Sequence, residues 1–186
     1  MNVPPTNRRV FIKYLLAGCS MVVMAPSAMG IRLKRKKASK GTGPYIPIDR
    51  KERCPVCGMF VWPYPKWITQ IQFHDGRHHS FDGMKCFCRF YFQPEKFNKT
   101  VQKKDFNLLL VRDYYTMKFI QHEDAYYVVG SDVLGPMGHE LIPFFDQKRA
   151  KIFLIDHRGL KMMQFKEVTP ALLDKLDKAK KTLVLD

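Results

Sequence analysis

Two thiols, Cys54 and Cys57, and the thioether of Met59 lie within six residues of one another. Pro55 and Gly58 disfavour a helix here, so we expect the sulfur atoms to lie on a loop. Soft sulfur ligands select Cu(I), zinc or iron–sulfur clusters, whereas carboxylates and carbonyls suit harder ions. The segment therefore predicts a soft-metal site. A redox pair and buried thiols are the alternatives.

The candidate ligands are not equally supported by their local sequence. The glycine and proline around Cys57 and Met59 favour ligation over burial in the core. Cys54 has two readings, as a ligand or as a structural or redox partner of Cys57. Met137, in G-P-M-G at 135–138, is by itself typical of loop or core filler.

A second pair of thiols, Cys86 and Cys88, allows a different metal site. A structural zinc module would use Cys54, Cys57, Cys86 and Cys88, although the gap of 28 residues between its halves exceeds the usual zinc-ribbon spacing. On a helix, residues two apart point in different directions, so Cys86 and Cys88 do not easily join one site. Met59 favours copper, because Cu(I) accepts a thioether and zinc has little use for one.

An enzyme that uses the C-x-x-C motif is the third alternative. In thioredoxin-like thiol–disulfide oxidoreductases this motif opens a helix, whose N-terminus lowers the pKa of the first thiol. Here Gly58 is followed by Pro63 and Pro65, and no apolar strand precedes Cys54. We therefore predict that the protein binds a metal and is not an enzyme.

The net charge of +15 suggests a nucleic-acid partner, but its distribution argues against one. Removing the nine charges of residues 1–40 leaves +6 on the remaining 146 residues, without a basic helix or an RNA-binding signature. We predict no nucleic-acid partner. A basic tail of this kind favours an anionic membrane surface, or else is a solvated linker. The nine charges are Arg8, Arg9, Lys13, Arg32, Lys34, Arg35, Lys36, Lys37 and Lys40.

Residues 1–30 have the organisation of an export signal. R-R-V-F-I-K at 8–13 resembles the twin-arginine motif, and an apolar run too short and broken for a membrane span follows it. Small residues allow cleavage after Gly30, while L-A-G-C matches a lipoprotein box that would place a lipid on Cys19. An uncleaved anchor is a third reading. We predict a periplasmic protein with a basic linker at 31–52.

The hydrophobic pattern beyond residue 52 alternates short strands with helices. Two units, at about 53–120 and 121–186, each run strand, strand, helix, strand. This order predicts an α+β fold with two small antiparallel lobes. The first unit has strands at 67–73, 78–81 and 106–120, the last with a bulge near Asp113. Its helix runs to about residue 92 and has Asp82 as the candidate N-cap. The second has extended segments at 125–130, 141–144 and 160–168, and helices at 146–156 and 171–180. Thr169-Pro170 is expected to cap the last helix.

Five motifs, taken in order, resemble the NosL family of nitrous oxide reductase accessory proteins. The similarity runs from Cys54 to the helix near Leu173, and the first and last motifs are long and distinctive. At Cys86 and Cys88 the chain departs from the family pattern. The motifs are C-P-V-C-G-M-F-V at 54–61, Y-P-K-W at 64–67, F-x-D-G at 73–76, F-D-G-M-K at 81–85 and G-P-M-G-H-E-L-I-P-F at 135–144.

The resemblance implies a periplasmic Cu(I)-binding metallochaperone, usually a lipoprotein, that supplies copper to nitrous oxide reductase or to its membrane assembly complex. It also implies the two-lobed α+β fold that the family shares with part of organomercurial lyase. The family's thiolate and thioether ligands fall on Cys57, Met59 and Met137, with Cys54 as the fourth candidate.

Overall fold

The computed structural model describes residues 44–179 as alternating strands and helices. The strands are β1 Thr69–Phe73, β2 His78–Phe81, β3 Phe106–Arg112, β4 Phe119–Gln121, β5 Tyr126–Val129, β6 Ile142–Phe144 and β7 Lys161–Gln164. The helices are α1 Met84–Phe92, α2 Pro94–Phe97, α3 Gln147–Asp156 and α4 Pro170–Lys178. Residues 1–30, predicted to be the export signal, lie outside this part of the chain.

The strands form two antiparallel sheets. The first sheet has the order β2-β1-β3-β4, and the second has the order β6-β5-β7. α1 follows the β1–β2 hairpin, and α3 lies between β6 and β7. The α+β class with two antiparallel strand-strand-helix-strand units is therefore confirmed.

The main hydrophobic core is formed by side chains from both sheets. Ile71 of β1, Phe87 of α1, Tyr127 of β5 and Leu173 of α4 all belong to one buried cluster. Because successive side chains of a strand face opposite ways, Val128 packs instead in a smaller cluster with residues of α3. The second sheet thus buries both of its faces.

The first described residues lie along the first sheet. The side chain of Gln70 donates to the carbonyl of Ile46 (2.9 Å) and accepts from its N–H (3.0 Å). The ring of Tyr45 stacks on that of Phe119, with 4.1 Å between ring centroids. The end of the predicted linker that the structure describes is therefore in contact with β1 and β4.

The single strand predicted at 106–120 is wrong, because the chain turns at Asp113. The buried carboxylate of Asp113 accepts hydrogen bonds from the N–H and hydroxyl of Thr116 (2.7 and 2.8 Å). Its other oxygen accepts from the N–H of Phe145 (2.7 Å), just after β6. One aspartate therefore closes the β3–β4 hairpin and also holds it against the second sheet.

The start of α1 also differs from its prediction. Asp82 is not the N-cap; Gly83 is, and it has no side chain that could cap the helix. Instead, Oε2 of the distant Glu140 accepts a hydrogen bond from the N–H of Lys85 (2.8 Å). Capping from another part of the chain leaves the carboxylate of Asp82 available for other contacts.

The starts of α3 and α4 were predicted correctly, α2 was not predicted, and one strand was predicted too long. Asp146 caps α3 by accepting from the N–H of Lys148 (2.7 Å). Thr169 caps α4, with Pro170 at its first position. The strand predicted at 160–168 ends at Gln164, and a 3₁₀ turn follows it.

Candidate metal centre

The C-x-x-C-G-M segment forms a tight turn, as its glycine and proline predict. The N–H of Cys54 donates to the carbonyl of Met59 (2.8 Å), and the N–H of Gly58 donates to the carbonyl of Cys54 (2.9 Å). Gly58 has a φ of 76°, in the left-handed region that favours glycine. No helix follows Cys57 in this turn, unlike the thioredoxin-like arrangement.

Three thiols and one carboxylate converge beneath this turn. The ligand atoms of Cys54, Cys57, Asp82 and Cys86 all lie within 4.8 Å of one another. Cys54, Asp82 and Cys86 are buried, whereas Cys57 is partly exposed. Asp82 and Cys86 are four residues apart at the start of α1, so one turn of backbone brings both to the cluster.

Hydrogen bonds within the cluster set the protonation of its thiols. The thiol of Cys86 donates to the sulfur of Cys54, which lowers the pKa of Cys54 and, together with burial, raises the pKa of Cys86. The thiol of Cys57 donates to Oδ1 of Asp82 (3.3 Å), and burial raises the pKa of Cys57 to about 12. The group is therefore held together by protons that a metal ion would replace.

One oxygen of the cluster lacks a partner. Oδ2 of Asp82 is buried and accepts no hydrogen bond from the described residues. A buried carboxylate oxygen without a donor or a cation is unfavourable. The position of Asp82 therefore fits a ligand better than a purely structural residue.

Met59 lies on the outer side of the cluster. Met59 and Cys57 line the same open surface depression, together with Arg53 and Phe60. Met59 and Cys57 are both half-buried. The two residues therefore lie at one surface that solvent reaches.

Met137 lies in an exposed turn that is bonded to α1. Gly135 and Gly138 close the turn with two backbone hydrogen bonds (2.7 and 3.1 Å). The buried ammonium of Lys85 donates to the carbonyl of Met137 (2.6 Å) and to Oδ1 of Asp177 (2.8 Å). Since Lys85 directly precedes Cys86, the turn is attached beside the cluster. Ligation by Met137 stays a prediction.

The alternative zinc site of four cysteines is not assembled in the structure, because Cys88 lies apart from the other three. Cys88 is fully buried, its pKa is raised by that burial, and it does not belong to the cluster. Asp82 takes the fourth place instead. The spacing of four residues between Asp82 and Cys86 could have indicated that both side chains reach the same site. Asp82 was instead predicted to be a helix cap. His78, His79 and His139, all within the described chain, lie outside the cluster.

Comparison with known proteins places this arrangement in a family. The chain is 29% identical over 144 residues to the copper-binding lipoprotein NosL of Stutzerimonas stutzeri, covering 69% of this chain and 67% of that protein. It shares its fold with the crystal structure of the copper chaperone NosL from Shewanella denitrificans. That match has a TM-score of 0.60 and 24% identity over 69% of this chain and 97% of the other.

Within residues 44–179, no helix has the length and hydrophobicity needed to cross a bilayer. The NosL family model matches residues 44–173, which contain the turn at Cys54, the start of α1 and the Met137 turn. The chain therefore belongs to the NosL family.

Proposed function

We propose that this protein is an exported Cu(I)-binding metallochaperone that supplies copper for maturation of nitrous oxide reductase. Membership of the NosL family supports the proposal, as does a relative that is named a copper-binding lipoprotein. The recipient is nitrous oxide reductase itself or its membrane assembly complex. The role is binding and transfer of an ion, not catalysis.

The proposed ligands are Cys57, Met59 and Met137, with Cys54 as a further thiolate. The observation that carries the proposal is the shared surface depression, which is lined by Cys57 and Met59. Thiolate and thioether sulfur select Cu(I) over harder ions. The bond from Lys85 to the Met137 carbonyl supports a contribution from the second unit.

An accessible site with few ligands suits a protein that must release its ion. A closed site with four strong ligands holds metal for structure, whereas an incomplete site lets a ligand of the recipient attack the ion. Cys57 is partly exposed and Met137 is 41% exposed, so both can be reached from solvent.

We propose a periplasmic location, with the domain at 53–186 preceded by the linker at 31–52 and the export signal at 1–30. The name of the Stutzerimonas stutzeri relative supports attachment through a lipid. The signal is proposed to end either by acylation at Cys19 or by cleavage near Gly30. A lipid on Cys19 would bring the basic residues that follow it to the membrane surface.

Titration of the reduced protein with Cu(I) against a chromophoric chelator tests the copper site. We expect one ion per monomer and a loss of affinity of about tenfold or more in Cys57→Ser. Affinity should fall with decreasing pH, because the metal displaces the proton of Cys57, whose pKa is about 12. Cys88→Ser is the control, since it changes a buried thiol outside the cluster. Unchanged affinity in Cys57→Ser would refute the proposed site.

A further inference from the structure

Cys57 has potential metal ligands on two sides. On its outer side, Met59 lines the same depression. On its inner side, the buried groups of Cys54, Cys86 and Asp82 lie within 4.8 Å of its sulfur and of one another. The proposed copper site does not use Cys86 or Asp82, so the inner side needs a separate explanation.

The inner group has nearly the size of a tetrahedral metal site. With metal–sulfur distances of about 2.3 Å, the sulfur atoms of a tetrahedral zinc site are about 3.8 Å apart. The observed limit of 4.8 Å therefore requires the ligand atoms to move inward by about 1 Å or less.

The chemistry of the inner group differs from that of a Cu(I) site. Three thiols are joined by a carboxylate, and oxygen ligands favour a borderline divalent ion over Cu(I). Oδ2 of Asp82 is buried and has no partner among the described residues, so a cation there would satisfy it. Burial of Cys54, Asp82 and Cys86 also excludes water, as in closed structural sites.

Backbone hydrogen bonds hold the turn that carries Cys54 and Cys57. The N–H of Cys54 donates to the carbonyl of Met59 (2.8 Å), and the N–H of Gly58 donates to the carbonyl of Cys54 (2.9 Å). The turn therefore supplies two of the ligands.

We infer that Cys54, Cys57, Cys86 and Asp82 form a second metal site, closed and tetrahedral, for a divalent ion of the zinc class. Compared with the alternative zinc site of four cysteines, this site has Asp82 in place of Cys88. It differs from the proposed copper site in using Cys86 and Asp82 in place of Met59 and Met137. The two sites share Cys57 and Cys54, so binding of a divalent ion excludes binding of Cu(I); that consequence rests on the proposed function.

Co²⁺ is the probe for this site, because its visible spectrum reports tetrahedral geometry and thiolate ligation. The reduced full-length protein is titrated with Co²⁺ without oxygen, and Zn²⁺ is then added. We expect tetrahedral Co²⁺ bands, a charge-transfer band from three thiolates, and loss of both when Zn²⁺ displaces Co²⁺. An octahedral spectrum would overturn the inference.

Four variants assign the ligands. Cys86→Ser should weaken Co²⁺ and Zn²⁺ binding by more than the roughly 10–100-fold typical of an outer contact, and should remove about a third of the charge-transfer intensity. Asp82→Asn keeps the side-chain shape and should weaken binding while leaving three thiolates. Cys88→Ser is the matched control and should bind as wild type does. Met137→Leu should bind Co²⁺ normally and Cu(I) weakly.

The outcomes separate this inference from the copper proposal. Equal loss of Co²⁺ in Cys86→Ser and Cys88→Ser, or normal binding in Asp82→Asn, would overturn the second site while leaving copper binding intact. Normal Co²⁺ binding with no Cu(I) binding in the wild type would refute the copper proposal alone. Because Cys86 is buried, circular dichroism is used to check that the Cys86→Ser protein is folded. Cys57 is partly exposed, so Cys57→Ser provides a second test that spares the core. It should also abolish Co²⁺ binding.

Discussion

At the scale of residues, two buried carboxyl groups at the start of α1 have different roles. Asp82 faces the thiols of the cluster, whereas Glu140 accepts the hydrogen bond from the N–H of Lys85. Gly83 leaves room for Glu140, since a Cβ at that position would lie 2.6 Å from Oε1. Burial raises the pKa of Glu140 to about 8, so its carboxyl group keeps a proton near neutral pH.

The raised pKa of Glu140 predicts a stability that falls as pH rises. Between about 4.5 and 8, the folded protein holds a proton that the unfolded chain has released, so the free energy of unfolding declines with pH. Glu140→Gln keeps the acceptor oxygen without the charge and should remove a decline on the order of a few kcal/mol. Urea denaturation at several values between pH 5 and pH 9 measures it.

Glu123→Gln is the matched control, because the Glu123 side chain is 81% exposed. The control should keep the same pH dependence as the wild type. Parallel pH profiles for the wild type and Glu140→Gln would show that Glu140 is ionised in the folded protein, contrary to this prediction.

At the scale of elements, two basic side chains of α1 contact α4, and one of them also bonds the Met137 turn. Lys85 bonds both the Met137 carbonyl and Asp177 of α4. Arg89, one turn later, pairs with Asp177 and Asp174. Only the first of these two side chains is bonded to the turn, so the pair allows the turn and the helix contact to be tested separately.

We predict that Lys85→Met weakens Cu(I) binding by about tenfold, because the Met137 turn loses the bond that attaches it to α1. Arg89→Met should leave Cu(I) affinity unchanged, since it removes a contact with α4 alone. Each variant should lower the free energy of unfolding by about 1–2 kcal/mol. Chelator competition and urea denaturation measure the two effects. If Met137→Leu weakens copper binding and Lys85→Met does not, the turn is held by other contacts.

At the scale of the whole molecule, the described region has one main core, and most of the excess charge lies before it. The core joins both sheets, α1 and α4, so the cluster rests on a scaffold formed by both units. Residues 1–40 carry nine basic and no acidic residues. These two features agree with an export segment followed by a folded binding domain.

Replacing Arg8 and Arg9 together by Lys tests the export prediction. Lysine keeps the positive charge but lacks the planar guanidinium that a receptor can bind with paired hydrogen bonds. We expect the double variant to remain in the cytoplasm, as measured by cell fractionation. Lys13→Arg, which preserves the charge beyond the arginine pair, is the control. Continued delivery of the double variant to the periplasm would indicate another export route.

Much of the fold could be predicted from the sequence, because the signals involved are local. Alternating and helical hydrophobic patterns predicted the element types, and Thr169-Pro170 predicted the start of α4. The single strand at 106–120 was wrong because strand-favouring residues, Tyr114, Tyr115 and Thr116, continue through the turn. The polar contacts of Asp113 break the strand, and one of them comes from Phe145, 32 residues away.

The sequence by itself determined that the sulfur-bearing residues Cys54, Cys57 and Met59 lie on a turn, because Pro55 and Gly58 act within the same short segment. It also showed that two thiols spaced two apart on a helix diverge. Only the tertiary structure decided which of them, Cys86 or Cys88, faces the turn, and that Asp82 joins it. The reason is that the β1–β2 hairpin returns the chain to the turn. The rotation of α1 about its axis is then set by the core that Phe87 and Phe90 enter, and no local pattern near Cys86 contains that rotation.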